Sequence, residues 1–432
     1  MKRRKVNIVT LGCSKNLVDS EMLLNQLDMN GFKVVHDSEK DDANIVILNT
    51  CGFIADAKEE SVNTILNFVD ARKQGKLDKL LVMGCLSARY KEDLVKEIPE
   101  VDKFYGKFDF REIVSDLNAT FYEQKMYHRV QTTPAHFAYL KISEGCNRHC
   151  SFCAIPQFTG NHKSRSIDSL FEEAQGLAAR GVKELLVIAQ DLSYYGIDLY
   201  GESKLAELID RLAGLEGLNR IRLHYAYPSK FPTDVLRVIR ERKNVCKYLD
   251  LPLQHISDRM LGMMRRKITK EETIALIRKI RQEVPEIALR TTFLVGHPGE
   301  TKEDFEELKA FIREYPFERM GVFAYSSEED TYAFKMYKDD VPQEVKQQRA
   351  DELMAIQQGI SASLNQKYIG KIIQVLVDRR EGNYFVGRTE YDSPEVDGEV
   401  LIDQSFQLKT GEFYPVKITG ADEFDLVGEI VP

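Results

Sequence analysis

The sequence predicts a multidomain α/β protein of three parts: an N-terminal doubly wound parallel sheet, a central partial (β/α) barrel and a small, OB-like C-terminal β-barrel. Three observations over the 432 residues predict this. Short apolar runs alternate with amphipathic stretches up to about residue 122. From about residue 134 a strand-then-helix unit recurs six times, about every 35 residues. Beyond Tyr368 the texture changes to short apolar runs punctuated by glycines 370, 382, 387, 398, 411, 420 and 428.

In the first part, residues 1–122, Val6–Leu11, Ile45–Leu48 and Leu80–Met83 read as strands covered on both faces, because they are apolar almost throughout. Between them Leu17, Met22, Leu23, Leu24 and Leu27 recur at helical spacing, and Gly31 closes that segment. Val62, Ile65, Leu66 and Val69 mark one face of a second helix beginning near Glu59. A polar stretch with Thr and Pro, 123–134, reads as a linker. The second part, 134–363, offers strands at Tyr139–Ile142, Glu184–Ile188, Arg220–His224, Tyr248–Leu251, Leu289–Val295 and Gly321–Ala324. Helical stretches separate them, as at Ser169–Ala179, Leu205–Ala213, Thr233–Ile239, Glu271–Glu283 and Glu303–Glu314. Thr301 followed by Asp304 reads as a helix start with an acidic first turn. Val341–Lys367 is a long polar-rich helix that braces or connects, and the third part spans 364–432.

Composition excludes several classes. With 43% hydrophobic and 30% charged residues the chain is globular rather than disordered. No apolar run approaches the roughly 18–20 residues of a membrane span. The basic start, Met1-Lys2-Arg3-Arg4-Lys5, precedes an apolar run too short for a signal peptide, so a cytoplasmic location without membrane contact is expected. A net charge of −8 argues against whole-surface attraction to nucleic acid. Seven cysteines in a reducing compartment do not read as a disulfide framework.

Their placement carries the chemistry. Cys146, Cys150 and Cys153 form a Cys-x3-Cys-x2-Cys loop just after the first barrel strand, on the end where barrel active sites are built. Three thiolates this close can wrap one soft metal centre, an iron–sulfur cluster or zinc. Zinc would want a fourth ligand, and His149 beside Cys150 is awkwardly placed to supply it. Cys13, Cys51 and Cys85 each lie just past the carboxyl end of an apolar strand and just before a helical segment. Strand ends of that kind meet along one edge of an open parallel sheet, so these three could converge on a second cluster. Small neighbours, Gly12, Gly52 and Gly84, would let backbone approach a bulky cofactor. Taken singly each thiol could equally be a buried small hydrophobe; Cys246 reads that way.

With both triplets in view the sequence resembles the radical SAM (S-adenosylmethionine) methylthiotransferase family over essentially its whole length. That likeness implies an N-terminal cluster domain, a radical SAM barrel and a C-terminal TRAM domain. Phe152 is the aromatic that precedes the last cysteine in the radical SAM signature. Two branches of the family modify either a tRNA adenosine, the MiaB type, or an aspartate of ribosomal protein S-twelve, the RimO type. Leu11-Gly12-Cys13-Ser14-Lys15-Asn16 with Val18-Asp19-Ser20-Glu21, Cys153-Ala154-Ile155-Pro156, Gln190-Asp191 before Tyr194-Tyr195-Gly196, and Tyr248 through His255 resemble the RimO type. The resemblance implies two 4Fe-4S clusters, one on Cys146, Cys150 and Cys153 and one on Cys13, Cys51 and Cys85. It implies SAM as radical source and methyl donor, hydrogen abstraction at the aspartate β-carbon, and a reducing electron donor. Phe152, Gln190, Gly296 and Glu300 are its SAM-facing candidates, with loop capping or a turn as the plainer role for each. His255 and His297 read as rim histidines with structural hydrogen bonds. A non-catalytic iron–sulfur carrier of the same architecture is the rival from another class.

TRAM domains usually bind RNA, which demands basic residues. Residues 364–432 hold seven Lys and Arg against thirteen Asp and Glu, a net −6. That balance is expected to disfavour direct nucleic-acid binding and to attract a basic ribosomal protein, unless Arg379-Arg380 forms a local basic patch.

Overall fold

Residues 4–38, 42–404 and 407–431 are described by a computed structural model. Met1, Lys2 and Arg3 of the basic start lie outside them. The chain forms two units. The first runs to Thr133 and takes in Glu144–Arg148 and Cys153–His162; the second holds Pro134–Ser143, His149–Phe152 and the chain from Lys163 onward.

The first unit is a five-stranded parallel sheet of β1 (Lys5–Thr10), β2 (Lys33–His36), β3 (Ile45–Thr50), β4 (Lys79–Gly84) and β5 (Lys103–Phe104), in the order β2-β1-β3-β4-β5. Three of these strands are the predicted apolar runs. β3 is buried along its whole length because helices cover both faces. Helices α1 (Ser14–Met29), α2 (Ala55–Lys73) and α3 (Cys85–Glu97) follow β1, β3 and β4. The chain turns one way from β1 to β2 and the other way from β3 to β4. The β1/β3 boundary is therefore the switch point, where ligands bind in sheets of this kind.

The 123–134 stretch, which reads as a linker, is strapped to α1. Arg129 is buried against Glu21 at 2.6 Å, and the Thr132 amide donates to the same carboxylate at 2.6 Å.

The second unit begins with six parallel strands in simple chain order: β6 (Phe137–Lys141), β7 (Glu184–Ile188), β8 (Arg220–Leu223), β9 (Val245–Asp250), β10 (Ala288–Val295) and β11 (Arg319–Ala324). This open sheet is the partial barrel. Its core is one apolar cluster including Leu140, Leu185, Val187, Ile221, Leu249, Leu289 and Phe293, all at most 1% exposed. Thr301 and Asp304 form the expected helix start as a full capping box, each side chain meeting the other's backbone N–H. The long helix α4 (Gln343–Asn365) packs along β11.

A closed barrel follows, built of β12 (Ile372–Glu381), β13 (Tyr384–Arg388), β14 (Val400–Asp403), β15 (Phe413–Ala421) and β16 (Leu426–Ile430). Its acidic excess does not behave as a free surface. Asp392 and Asp397 reach Arg319 at 2.9 Å and Arg290 at 3.3 Å, and Glu412 reaches Lys183 at 2.5 Å. Asp378 accepts from His136 at 2.8 Å and from Arg388 at 2.6 Å. His136, Lys183, Arg220 and Arg319 all stand at or just before the amino ends of barrel strands. Much of the charge expected to meet a substrate is thus spent on the barrel's amino end. The Arg379-Arg380 patch is also occupied, Arg379 by Glu381 and Glu399 and Arg380 by Gln404.

Among the described residues, no helix is long and apolar enough to cross a membrane.

Candidate metal centres

In the first unit the carboxyl edge of the sheet gathers the cysteine loops. Cys13 caps α1, Cys51 follows β3 directly and Cys85 opens α3. Asn16, fully buried, ties the loops together. Its Nδ2 donates to the carbonyls of Leu11 at 3.0 Å and Thr50 at 3.2 Å, just before Cys13 and Cys51, and its Oδ1 lies 3.6 Å from the Cys85 sulfur. The glycines let the loops press on each other. A Cβ on Gly12 would stand 2.8 Å from the Cys51 sulfur, one on Gly52 2.7 Å from the Leu86 backbone, and one on Gly84 2.4 Å from the Thr50 carbonyl. Gly12 also holds φ +91°, a left-handed conformation that side chains resist.

Charge favours thiolates here, against burial. Desolvation raises the Cys13 thiol, but Lys15, Lys107 and nearby backbone amides outweigh it and leave its pKa below the ordinary thiol value. Burial pushes Cys51 up and Cys85 up to about 12, while Lys107 pulls both down. The thiols sense one another: Cys13 raises Cys51, and both raise Cys85. The amino ends of α1 and α3 add partial positive charge at Cys13 and Cys85. Among the described residues no three His, Cys, Asp or Glu side chains are set to clasp a single metal ion. A multi-iron cluster, whose ligands sit on separate irons, suits an all-thiol donor set of this kind.

Of the second triplet, Cys146 and Cys153 belong to segments of the first unit and Cys150 to the second. Cys146 is buried, and its sulfur accepts from the Arg148 amide at 3.4 Å. Cys150 is buried with the Arg266 guanidinium 3.3 Å and the Tyr227 hydroxyl 3.8 Å from its sulfur. Arg266 also stacks on the Tyr227 ring at 4.2 Å, so this cation is fixed before any ligand arrives. Ser151 is held on three sides: its N–H donates to Met264, its carbonyl accepts from Ala333, and its hydroxyl meets His297 Nε2 at 3.0 Å.

The SAM-facing candidates divide. Phe152 is half-buried, edge-on to His297 at 6.4 Å. Gln190 follows β7 by two residues and is half-buried. Gly296 and Glu300 instead close a turn on themselves. The Gly296 N–H donates to Glu300 at 2.6 Å, the other carboxylate oxygen takes Arg349 at 2.8 Å, and a Cβ on Gly296 would collide with Lys346. Burial pushes Glu300 up to about 7 despite Arg349. His255 and His297 are buried and structural; burial pushes them down to about 3 and about 4. Sequence reasoning missed Asn16 as a tie, and missed Lys107 and Arg266 altogether. A lysine or arginine in sequence carries no mark of burial.

Residues 5–106 match the family described as "Uncharacterized protein family UPF0004", residues 140–312 the Radical SAM superfamily, and residues 369–431 the TRAM domain. A protein of Bacteroides thetaiotaomicron named "Ribosomal protein uS12 methylthiotransferase RimO" is 58% identical over 432 residues, covering 100% of this chain and 99% of its own. One of the same name from Phocaeicola vulgatus is 59% identical over 433 residues, covering 100% of both. Among solved structures, the radical S-adenosylmethionine methyltransferase TsrM from Kitasatospora setae is similar in fold. Its TM-score is 0.57 over 74% of this chain and 72% of that one, at 16% identity. Full-length identity at this level, over an N-terminal sheet, a radical SAM barrel and a TRAM domain in that order, is a family relation: the chain belongs to the RimO family of radical SAM methylthiotransferases.

Proposed function

We propose that this protein attaches a methylthio group to the β-carbon of an aspartate in ribosomal protein uS12, by radical chemistry that uses SAM and two 4Fe-4S clusters. The observation that carries this is full-length identity, 58% over 432 residues, to a relative named for that reaction. Cys146, Cys150 and Cys153 would hold the SAM-binding cluster, and Cys13, Cys51 and Cys85 the other. When bound, the clusters supply the one-electron cleavage of SAM and a site for the transferred sulfur.

The chain's own residues orient and shield. Asn16 keeps the first three cysteine loops in register through the Leu11 and Thr50 carbonyls. Arg266 donates to the Cys150 sulfur, and Tyr227 holds that arginine in place by stacking on it and donating its hydroxyl hydrogen to its carbonyl. His297 accepts the Ser151 hydroxyl hydrogen through Nε2, since its Nδ1 faces the Pro298 carbonyl at 3.1 Å and must carry the ring proton. Phe152 and Gln190 are the better candidates to face SAM; for Glu300, whose oxygens are engaged, a turn-closing role fits better.

We assign residues 1–122 to the cluster domain, 134–363 to the barrel with its bracing helix and 364–432 to the TRAM domain. A ribosomal substrate puts the work in the cytoplasm, with uS12 met free or within the small subunit and a reducing electron donor alongside. Acidic residues left exposed on the TRAM domain, among them Glu381, Asp403, Asp422 and Glu423, would draw a basic protein. Mass spectrometry of uS12 from cells lacking this gene tests the proposal. Loss of the methylthio-aspartate is expected; its persistence at full level, or loss of a methylthio mark from tRNA instead, overturns it.

A further inference from the structure

Lys107 lies three residues past β5 with its side chain only 3% exposed, and nothing in the reaction described above uses it. Its ammonium has three neighbours: Asn16 Oδ1 at 3.4 Å, an Asp19 carboxylate oxygen at 3.6 Å and the Cys85 sulfur at 3.7 Å. Both oxygen contacts exceed the roughly 2.7–3.2 Å of an ordinary N–H···O bond. The Arg129–Glu21 pair of the same unit, by contrast, closes to 2.6 Å. Burying an ammonium costs several kcal/mol unless partners repay it, and the groups that offset the cost here are the Asp19 and Glu144 carboxylates and the Cys85 and Cys13 sulfurs themselves. The charge stands beside the Cys85 sulfur, on the sheet edge that also carries Cys13 and Cys51.

We propose that Lys107 is a positioning residue for the centre on Cys13, Cys51 and Cys85: it donates a hydrogen bond to the Cys85 sulfur and its fixed positive charge raises that centre's reduction potential. The inference rests on the ligand assignment proposed above. Its physical basis is that reduction adds one negative charge at a site where two of the three ligand thiols, Cys51 and Cys85, are buried. A cation held a few ångströms away favours the reduced form, and hydrogen bonds to ligand sulfur act in the same direction. Asn16 carries the effect further, because the Oδ1 beside Lys107 belongs to the side chain that braces the Leu11 and Thr50 carbonyls.

The test uses the full chain with Cys146, Cys150 and Cys153 all changed to Ala, so that iron reports on the N-terminal centre alone. After anaerobic reconstitution, iron per chain is counted and the reduction potential is followed by electron paramagnetic resonance. Adding Lys107→Met should lower the reduced-to-oxidised ratio at a set potential by roughly tenfold or more, a shift of about 59 mV for a one-electron couple. Adding Lys107→Arg instead should restore most of it. Parental iron with an unchanged potential in Lys107→Met overturns the inference, since a lysine that merely neutralised Asp19 would leave the potential where it was. If Lys107→Met takes up no iron, Lys107→Arg decides: iron at a near-parental potential supports the role, and a shift of tenfold or more overturns it. A triple-alanine parent that binds no iron would refute the ligand assignment itself, and the inference with it.

Discussion

Around Glu184 in the second unit, buried charges pair at ordinary distance; in the first, the buried Lys107 ammonium stands 3.4 and 3.6 Å from the oxygens of Asn16 and Asp19. Glu184 takes Arg222 at 2.9 Å and Arg388 at 2.9 Å, Arg388 takes Asp378 at 2.6 Å, and Arg220 donates to the Arg388 and Gln374 carbonyls at 2.9 and 2.6 Å. Networks of paired charges of this kind specify how elements dock, because losing any member strands the others. The Lys107 site is the reverse, with long contacts to oxygen and a sulfur as third neighbour. Close charge pairing marks structure, and a buried cation set against a thiol marks chemistry.

Five expectations sharpen or break that contrast, from the largest effect to the smallest. Cys85→Ala should take methylthio product on uS12 below detection and remove the iron of one centre, with the thermal midpoint nearly unchanged. Mass spectrometry, iron analysis and calorimetry check it, and a collapse of the fold would show the thiol to be core. Glu184→Gln should act in the opposite sense. It strands two arginines and should cost about 3–5 kcal/mol of unfolding free energy in a denaturant titration, while iron per folded chain holds.

The same residue fixes a pH dependence. Burial raises the Glu184 carboxyl, but Arg388, Arg222 and Arg220 outweigh it and hold it well below 4.5. Its stabilisation is therefore complete above the unfolded value near 4.5 and is lost as pH falls toward the folded value. Denaturant titrations below about pH 4.5 should show the parent losing stability more steeply than Glu184→Gln.

Asn16→Ala leaves the Leu11 and Thr50 carbonyls without their side-chain donor. It should cost about 1–3 kcal/mol and speed iron loss on dilution, read by absorbance. Glu412→Gln breaks a pair whose carboxylate is 51% exposed. It should change stability by less than about 1 kcal/mol, and added salt should erase the difference.

What was legible in the sequence follows from periodicity. β1, β3 and β4 read as strands because burial on both faces demands unbroken apolar runs, and the six barrel strands read for the same reason. β2 (Lys-Val-Val-His) and the two-residue β5 escaped because edge strands are short and only partly covered. Cysteine spacing marked both triplets as candidates. Position along the chain was enough, since each follows a strand and parallel topology brings strand ends to one edge.

Charge was the weaker guide. A net −6 over the last 69 residues suggested an acidic docking face, yet Asp378, Asp392, Asp397 and Glu412 proved to be spent inside the second unit. Composition counts charges without saying which are paired, and pairing depends on residues as much as 242 positions away. The neighbours of Gly12, Gly52 and Gly84 were illegible for a similar reason: smallness is visible in sequence, but what presses on each glycine is not.

The sequence by itself determined the three-part α/β order, the two cysteine triplets and the family likeness, because all three are written as local patterns or fixed spacings. Only the tertiary structure decided that Lys107 and Asn16 stand among the first three thiols, that Arg266 faces Cys150, and that the acidic tail clamps the barrel's amino end. Those are long-range juxtapositions of single charged or amide side chains, and their energies come from burial and distance rather than from any repeat along the chain.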